Sequence, residues 1–120
     1  LDLLNYLKSK YRLFILSNGF REVQYLKLEN SGLASFFEQM ILSEDAEVPK
    51  PHKGIFDYAL RNTNSVREES LMIGDSWDAD ILGAKNAGMD AIWYNPQSER
   101  EQGFSPLYTV RNLIDIKHLL

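Results

Sequence analysis

The sequence predicts an α/β fold built on a parallel, doubly wound sheet. Three observations carry this reading. Four short, nearly uninterrupted apolar runs recur along the chain, within Arg12–Leu16, Gln39–Leu42, Leu71–Ile73 and Ala91–Tyr94. Such runs suit strands buried on both faces. Segments with helical spacing separate them, and strand–helix alternation is the pattern of a parallel sheet. Two of the runs also end in turns rich in polar residues and glycine, Ser17-Asn18-Gly19 and Gly74-Asp75-Ser76.

The chain opens on Leu1-Asp2-Leu3-Leu4-Asn5-Tyr6-Leu7, already an amphipathic helix with Leu3, Leu4 and Leu7 on one side and no cap before it. Opening inside a helix points to a piece of a longer polypeptide. After the first strand, Val23, Tyr25, Leu26 and Leu28 give a weaker helical pattern, with Gly32 as its stop. The second strand follows. A polar loop, Ser43 to Lys50, then leads to a helix starting near Pro51 whose apolar face is Ile55, Phe56, Ala59 and Leu60. The third strand precedes a helix expected from about Trp77 to Ala87, closed by Gly88. The fourth strand is followed by a loop from Asn95 to Pro106, polar and expected to be mobile. Tyr108-Thr109-Val110 reads as a short edge strand, and Leu113–Leu120 as a closing helix.

Composition narrows the function. With 120 residues, 44% of them hydrophobic and 25% charged, the chain can form one domain with a core. Its net charge of −4 and scattered basic residues argue against a nucleic-acid surface. Cysteine is absent, which excludes disulfides and thiolate metal sites and suits a cytoplasmic setting. No apolar run approaches the roughly 20 residues of a membrane span.

In a doubly wound sheet, ligands bind beyond the carboxyl ends of the strands. That edge gathers Ser17-Asn18, the Lys50 region and Asp75. Asp75 follows the third strand at once, and Asp80 lies one helical turn on. Two acids this close repel each other, and a divalent cation relieves the penalty. Oxygen-only ligands favour Mg²⁺. The same segment also reads as an ordinary turn and N-cap, with acids suited to the helix dipole. Ser17, with the free amides of Asn18 and Gly19, makes an anion-binding corner, or a simple helix cap. Lys50 sits between Pro49 and Pro51, held extended, where its ammonium either offsets phosphate charge or is merely solvated. Arg21 and His52 are further candidates for substrate contact, with a solvated helix start as the other reading of His52. Trp77 reads as packing and Asp78 as a dipole partner.

Ser17-Asn18-Gly19, Lys50-Pro51 and Gly74-Asp75-Ser76 with Asp80, in this order, resemble three of the four motifs of the haloacid dehalogenase-like hydrolase superfamily. The resemblance covers nearly all of the chain. It implies a three-layer, Rossmann-like sheet and a Mg²⁺-dependent phosphomonoester hydrolase. In that family Ser17, Asn18, Gly19 and Lys50 would bind phosphate, with Ser17 and Lys50 serving catalysis, and Asp75 and Asp80 would hold the metal. The family's first motif, a central strand ending in Asp-x-Asp-x-Thr or Val, has no match. Asp78-Ala79-Asp80 has the spacing but follows no strand. The resemblance thus makes residues 1–120 the C-terminal portion of a core domain, lacking the first central strand and the cap domain. The nucleophilic aspartate would lie elsewhere and this piece alone would be inactive and poorly stable. The stretches Leu16–Phe20, Pro49–Leu60 and Asp80–Ala84 are similar to the pyrimidine 5′-nucleotidase branch, whose substrates are nucleoside monophosphates. A phosphoglycolate-phosphatase-like enzyme and a non-catalytic metal- or phosphate-binding remnant are the alternatives. A response-regulator receiver fits less well, because its acids precede its lysine. A true dehalogenase fits less well because the family's dehalogenases lack the acid at the position of Asp75.

Overall fold

The computed structural model describes residues 1–120. Helix α1 (Asp2–Lys8) leads into β1 (Phe14–Ser17), α2 (Arg21–Ser31) and β2 (Gln39–Leu42). A single helical turn, α3 (Ser43–Ala46), precedes α4 (Lys53–Asn62) and β3 (Leu71–Gly74). A π-helix over Trp77–Leu82 runs into α5 (Gly83–Asn86), then come β4 (Asp90–Tyr94) and β5 (Tyr108–Val110). The chain closes with a 3₁₀ helix, Leu113–His118.

All strand pairs are parallel, as the unbroken apolar runs require. They form two pieces. β1 pairs with β2, and β3, β4 and β5 form a second ladder in that order. β1 and β3 are not hydrogen-bonded to each other. The missing rung falls where the family resemblance implies a further central strand. Every residue of β1 and of β3 is only half-buried, although these runs are as apolar as the fully buried Met40, Ile41 and Leu42 of β2.

The residues of β3 and β4 alternate between two faces. Met72, Ala91 and Trp93 join Ile55, Phe56, Trp77, Ile81, Ala84 and Ala87 on one side. Leu71, Ile73, Ile92 and Tyr94 join Leu3, Val110, Ile116 and Leu120 on the other. Helices thus cover both faces, giving the three-layer architecture. No helix is long and apolar enough to cross a membrane.

The sequence-based element bounds need four corrections. The Ser43–Lys50 stretch holds a helical turn, because Ser43, Glu44 and Asp45 favour a first turn. The helix near Pro51 starts two residues later, where His52 caps it: its Nδ1 accepts from the Gly54 N–H at 2.9 Å. The expected helix 77–87 is divided, since the Ser76 carbonyl accepts from both Asp80 and Ile81 and widens the first turn. The closing helix is 3₁₀ over six residues. Gly32 and Gly88 take φ of 74° and 78°, ending α2 and α5 as expected. The 95–106 loop is tied down: the Asn95 side chain bonds both backbone groups of Glu99, and Glu101 accepts from Ser105 and Thr109.

Candidate active site

β1 ends at Ser17, so the chain turns at the carboxyl edge of the sheet. The Ser17 hydroxyl accepts from the Gly19 N–H at 3.0 Å, which curls the turn around it. The Asn18 side chain reaches across to Lys50, 32 residues on, and pairs with both of its backbone groups. Its Oδ1 accepts from the Lys50 N–H at 2.8 Å and its Nδ2 donates to the Lys50 carbonyl at 3.2 Å. Asn18 therefore acts as a clamp that fixes Lys50 to the Ser17 turn.

The Lys50 ammonium points inward and donates to Asp80 Oδ1 at 2.7 Å. Only 13% of the Lys50 side chain and 6% of that of Asp80 are exposed. The second Asp80 oxygen accepts from the Ser76 N–H at 3.1 Å. Such a pair, desolvated and hydrogen-bonded on both oxygens, holds its geometry. The contact requires Gly74, because a Cβ there would collide with the Asp80 carboxylate. A continuous chain of bonds thus runs from Asn18 through Lys50 and Asp80 to Ser76. It joins the end of β1 to the end of β3 across the gap in the sheet.

Asp75 follows the end of β3 and precedes the Ser76 cap. Its carboxylate is exposed and takes no hydrogen bond from the protein. Its backbone carbonyl accepts from the Trp93 indole Nε1–H at 3.0 Å. Ser76 caps the π-helix, its Oγ accepting from the Ala79 N–H at 3.1 Å. Asp78 is exposed in the first turn, and Trp77 packs edge-on against Trp93, as expected of a core residue.

Of the residues singled out from sequence, Asn18, Lys50 and Asp80 are bonded into one unit, with Ser17, Gly19 and Asp75 beside it. Arg21 and His52 are held differently. The Arg21 guanidinium pairs with Asp45, and the Arg21 backbone N–H donates to Glu44 Oε1 at 3.2 Å. His52 remains at the start of α4 with Nδ1 engaged. Sequence reasoning missed two features, the Asn18 clamp and the Trp93 bond to Asp75. The second carries a faint signal, an indole next to last in a strand whose preceding residues are Ala91 and Ile92. Two surface grooves, of 430 Å³ beside α4 and 250 Å³ under the 95–107 loop, include no residue of this edge.

The donor set can be tested against Mg²⁺. The chain assembles no cluster of three or more His, Cys, Asp or Glu side chains. Mg²⁺ commonly takes one or two protein carboxylates and fills its other positions with water and substrate oxygens. Asp75 has both oxygens free and fits. Asp80 is the other nearby acid, but both of its oxygens are engaged, one by the Lys50 ammonium and one by the Ser76 N–H.

Residues 1–94 match the family model described as haloacid dehalogenase-like hydrolase. The chain belongs to that family. A relative in this family, the pyrimidine 5′-nucleotidase YjjG of Escherichia coli (strain K12), is 40% identical over 121 aligned positions, spanning 99% of this chain and 54% of the relative. The glyceraldehyde 3-phosphate phosphatase of Methanothermobacter thermautotrophicus is 44% identical over 92 positions, 76% of this chain and 41% of that one. Among solved structures, Bacillus subtilis YfnB bound to magnesium superposes with a TM-score of 0.93 at 37% identity, covering 98% of this chain and 53% of the other. The chain spans about half the length of the relatives it matches.

Proposed function

We propose that these residues form the phosphate- and metal-binding half of a Mg²⁺-dependent phosphomonoester hydrolase. The observation that carries this reading is the Asn18–Lys50–Asp80 chain beside the unpaired Asp75 carboxylate. The Ser17 hydroxyl proton and the Asn18 N–H are the donors for phosphoryl oxygens, while the Gly19 N–H, expected to be free, is taken by Ser17 Oγ and fixes the turn. Lys50, held by Asn18 and Asp80, places a fixed positive charge beside the same corner. Because Lys50 is ion-paired before substrate arrives, little reorganisation is needed when the phosphoryl group binds.

Asp75, with Asp80 as the second acid, would hold Mg²⁺. When bound, the ion screens phosphoryl charge from an incoming nucleophile. The chain's own part is to present one free carboxylate to it and to keep the second acid's charge offset. Residues 1–120 contain no strand ending in Asp-x-Asp, so the aspartate that would carry the phosphoryl group lies outside them in this reading. Residues 1–120 alone are accordingly expected to be inactive. A cytoplasmic setting belongs to the same reading.

Nucleoside 5′-monophosphates are the proposed substrates, supported by the 40% identity to a pyrimidine 5′-nucleotidase over nearly the whole chain. A sugar- or triose-phosphate substrate is the second reading, supported by the 44% identity to a glyceraldehyde 3-phosphate phosphatase over a shorter stretch. Phosphate release by the full gene product from UMP, dUMP, dTMP, phosphoglycolate and glyceraldehyde 3-phosphate separates them. The reading expects the highest kcat/KM with a pyrimidine nucleotide. A preference for a triose phosphate or phosphoglycolate would overturn the substrate assignment.

A further inference from the structure

We infer that Trp93 is a positioning residue for Asp75, acting through its indole N–H and not through packing alone. This inference rests on the proposed role of Asp75 as a Mg²⁺ ligand. The Asp75 carbonyl lies past the end of β3 at Gly74 and before the Ser76 carbonyl that starts the π-helix. It has neither a strand nor a helix of its own to satisfy it. Trp93 is paired in register with Gly74 across the two strands, one residue before Asp75. From there its Nε1 donates to the Asp75 carbonyl at 3.0 Å, 18 residues away in sequence.

The donor is itself fixed. Trp93 is 1% exposed. Its ring meets that of Trp77 at a centroid distance of 4.7 Å and an interplanar angle of 61°, and Trp77 meets Phe104 at 4.8 Å. A buried indole N–H without a partner is costly, so the bond holds the Asp75 peptide in one orientation. That peptide plane sets the direction in which the Asp75 side chain leaves the backbone. The carboxylate has no side-chain hydrogen bond to orient it. The indole therefore does for this acid what a supporting carboxylate or carbonyl does for a metal-bound histidine.

The two tryptophans supply a matched test. Trp93→Phe removes the N–H bonded to Asp75, and Trp77→Phe removes an indole N–H that does not touch it. Both keep an aromatic ring in the stack. Mg²⁺ affinity of the full gene product is measured by calorimetric titration, with the melting temperature followed in parallel. Trp93→Phe is expected to weaken Mg²⁺ about tenfold, the lower end for the loss of an outer-shell partner, with Trp77→Phe close to wild type. Equal weakening by both, or a lower melting temperature with unchanged Mg²⁺ affinity in Trp93→Phe, would overturn the inference. Asp75→Asn separates this from failure of the site itself. If Asp75→Asn binds Mg²⁺ as wild type does, the metal assignment falls and the inference with it. If Asp75→Asn loses Mg²⁺ while Trp93→Phe does not, only the inference falls.

Discussion

The Lys50–Asp80 pair is the most demanding feature of the site, and its removal has a calculable effect. Asp80→Ala leaves the Lys50 ammonium, on a side chain 13% exposed, without its counter-ion. Removing one partner of a buried pair typically destabilises by about 3–5 kcal/mol. The Ser76 N–H loses its acceptor as well, adding about 1 kcal/mol, the low end for a half-buried donor. Because Lys50 keeps some contact with water, we take the low end of both, about 4 kcal/mol in total. With a urea slope of about 1.5 kcal/mol/M, the unfolding midpoint falls by about 2.7 M. The double variant Lys50→Met/Asp80→Leu removes both charges and should recover most of the loss, since apolar replacement of a whole buried pair is often near neutral. A double-mutant cycle by urea unfolding should therefore give a coupling energy of about 2 kcal/mol or more. Single effects that add to within about 0.5 kcal/mol would refute the claim that the pair is one desolvated unit.

Three further predictions concern the surrounding scaffold. Gly74→Ala should displace the Asp80 carboxylate, whose atoms occupy the space of the new Cβ, and destabilise by about 1–3 kcal/mol as overpacking does; a structure of the variant with Asp80 still on Lys50 would contradict this. Asn18→Ala breaks both bonds to the Lys50 backbone and should lower kcat by about tenfold, while the stability loss stays near 1–2 kcal/mol because the site is exposed. Equal proportional effects of that substitution on melting and on turnover would count against the clamp. Residues 1–120 expressed alone bury only 20 residues and leave β1 and β3 half-exposed, so their thermal transition should be broad and low. A sharp, cooperative transition above about 60 °C, near the top of the usual range for mesophilic domains, would contradict it.

Much of the fold was legible because the strands announce themselves. Gln39–Leu42 and Tyr108–Val110 have the bounds read from sequence, and the others differ by one or two residues. Gly32 and Gly88 end helices because both sit at positive φ, which glycine reaches without strain. The π-helix at Trp77–Leu82 was not legible. A helical apolar pattern cannot reveal that the Ser76 carbonyl will accept two N–H groups. Nor was the Asn18 clamp, which depends on two turns 32 residues apart meeting at one sheet edge. The candidate site could be listed from the sequence only as residue types in order, Ser17, Lys50, Asp75 and Asp80. It was not legible as a circuit. Which acid pairs with Lys50 and which stays free is decided by Gly74, whose missing side chain makes room for Asp80.

The central claim is that the free Asp75 carboxylate serves a metal-dependent phosphatase. Phosphate release from dUMP by the full gene product, with Mg²⁺ and with excess chelator, tests it most directly when wild type is set beside Asp75→Asn. The account predicts turnover by wild type that chelation abolishes and Mg²⁺ restores, and a loss of at least about a hundredfold in Asp75→Asn. Turnover that survives chelation, or that Asp75→Asn retains, would contradict it.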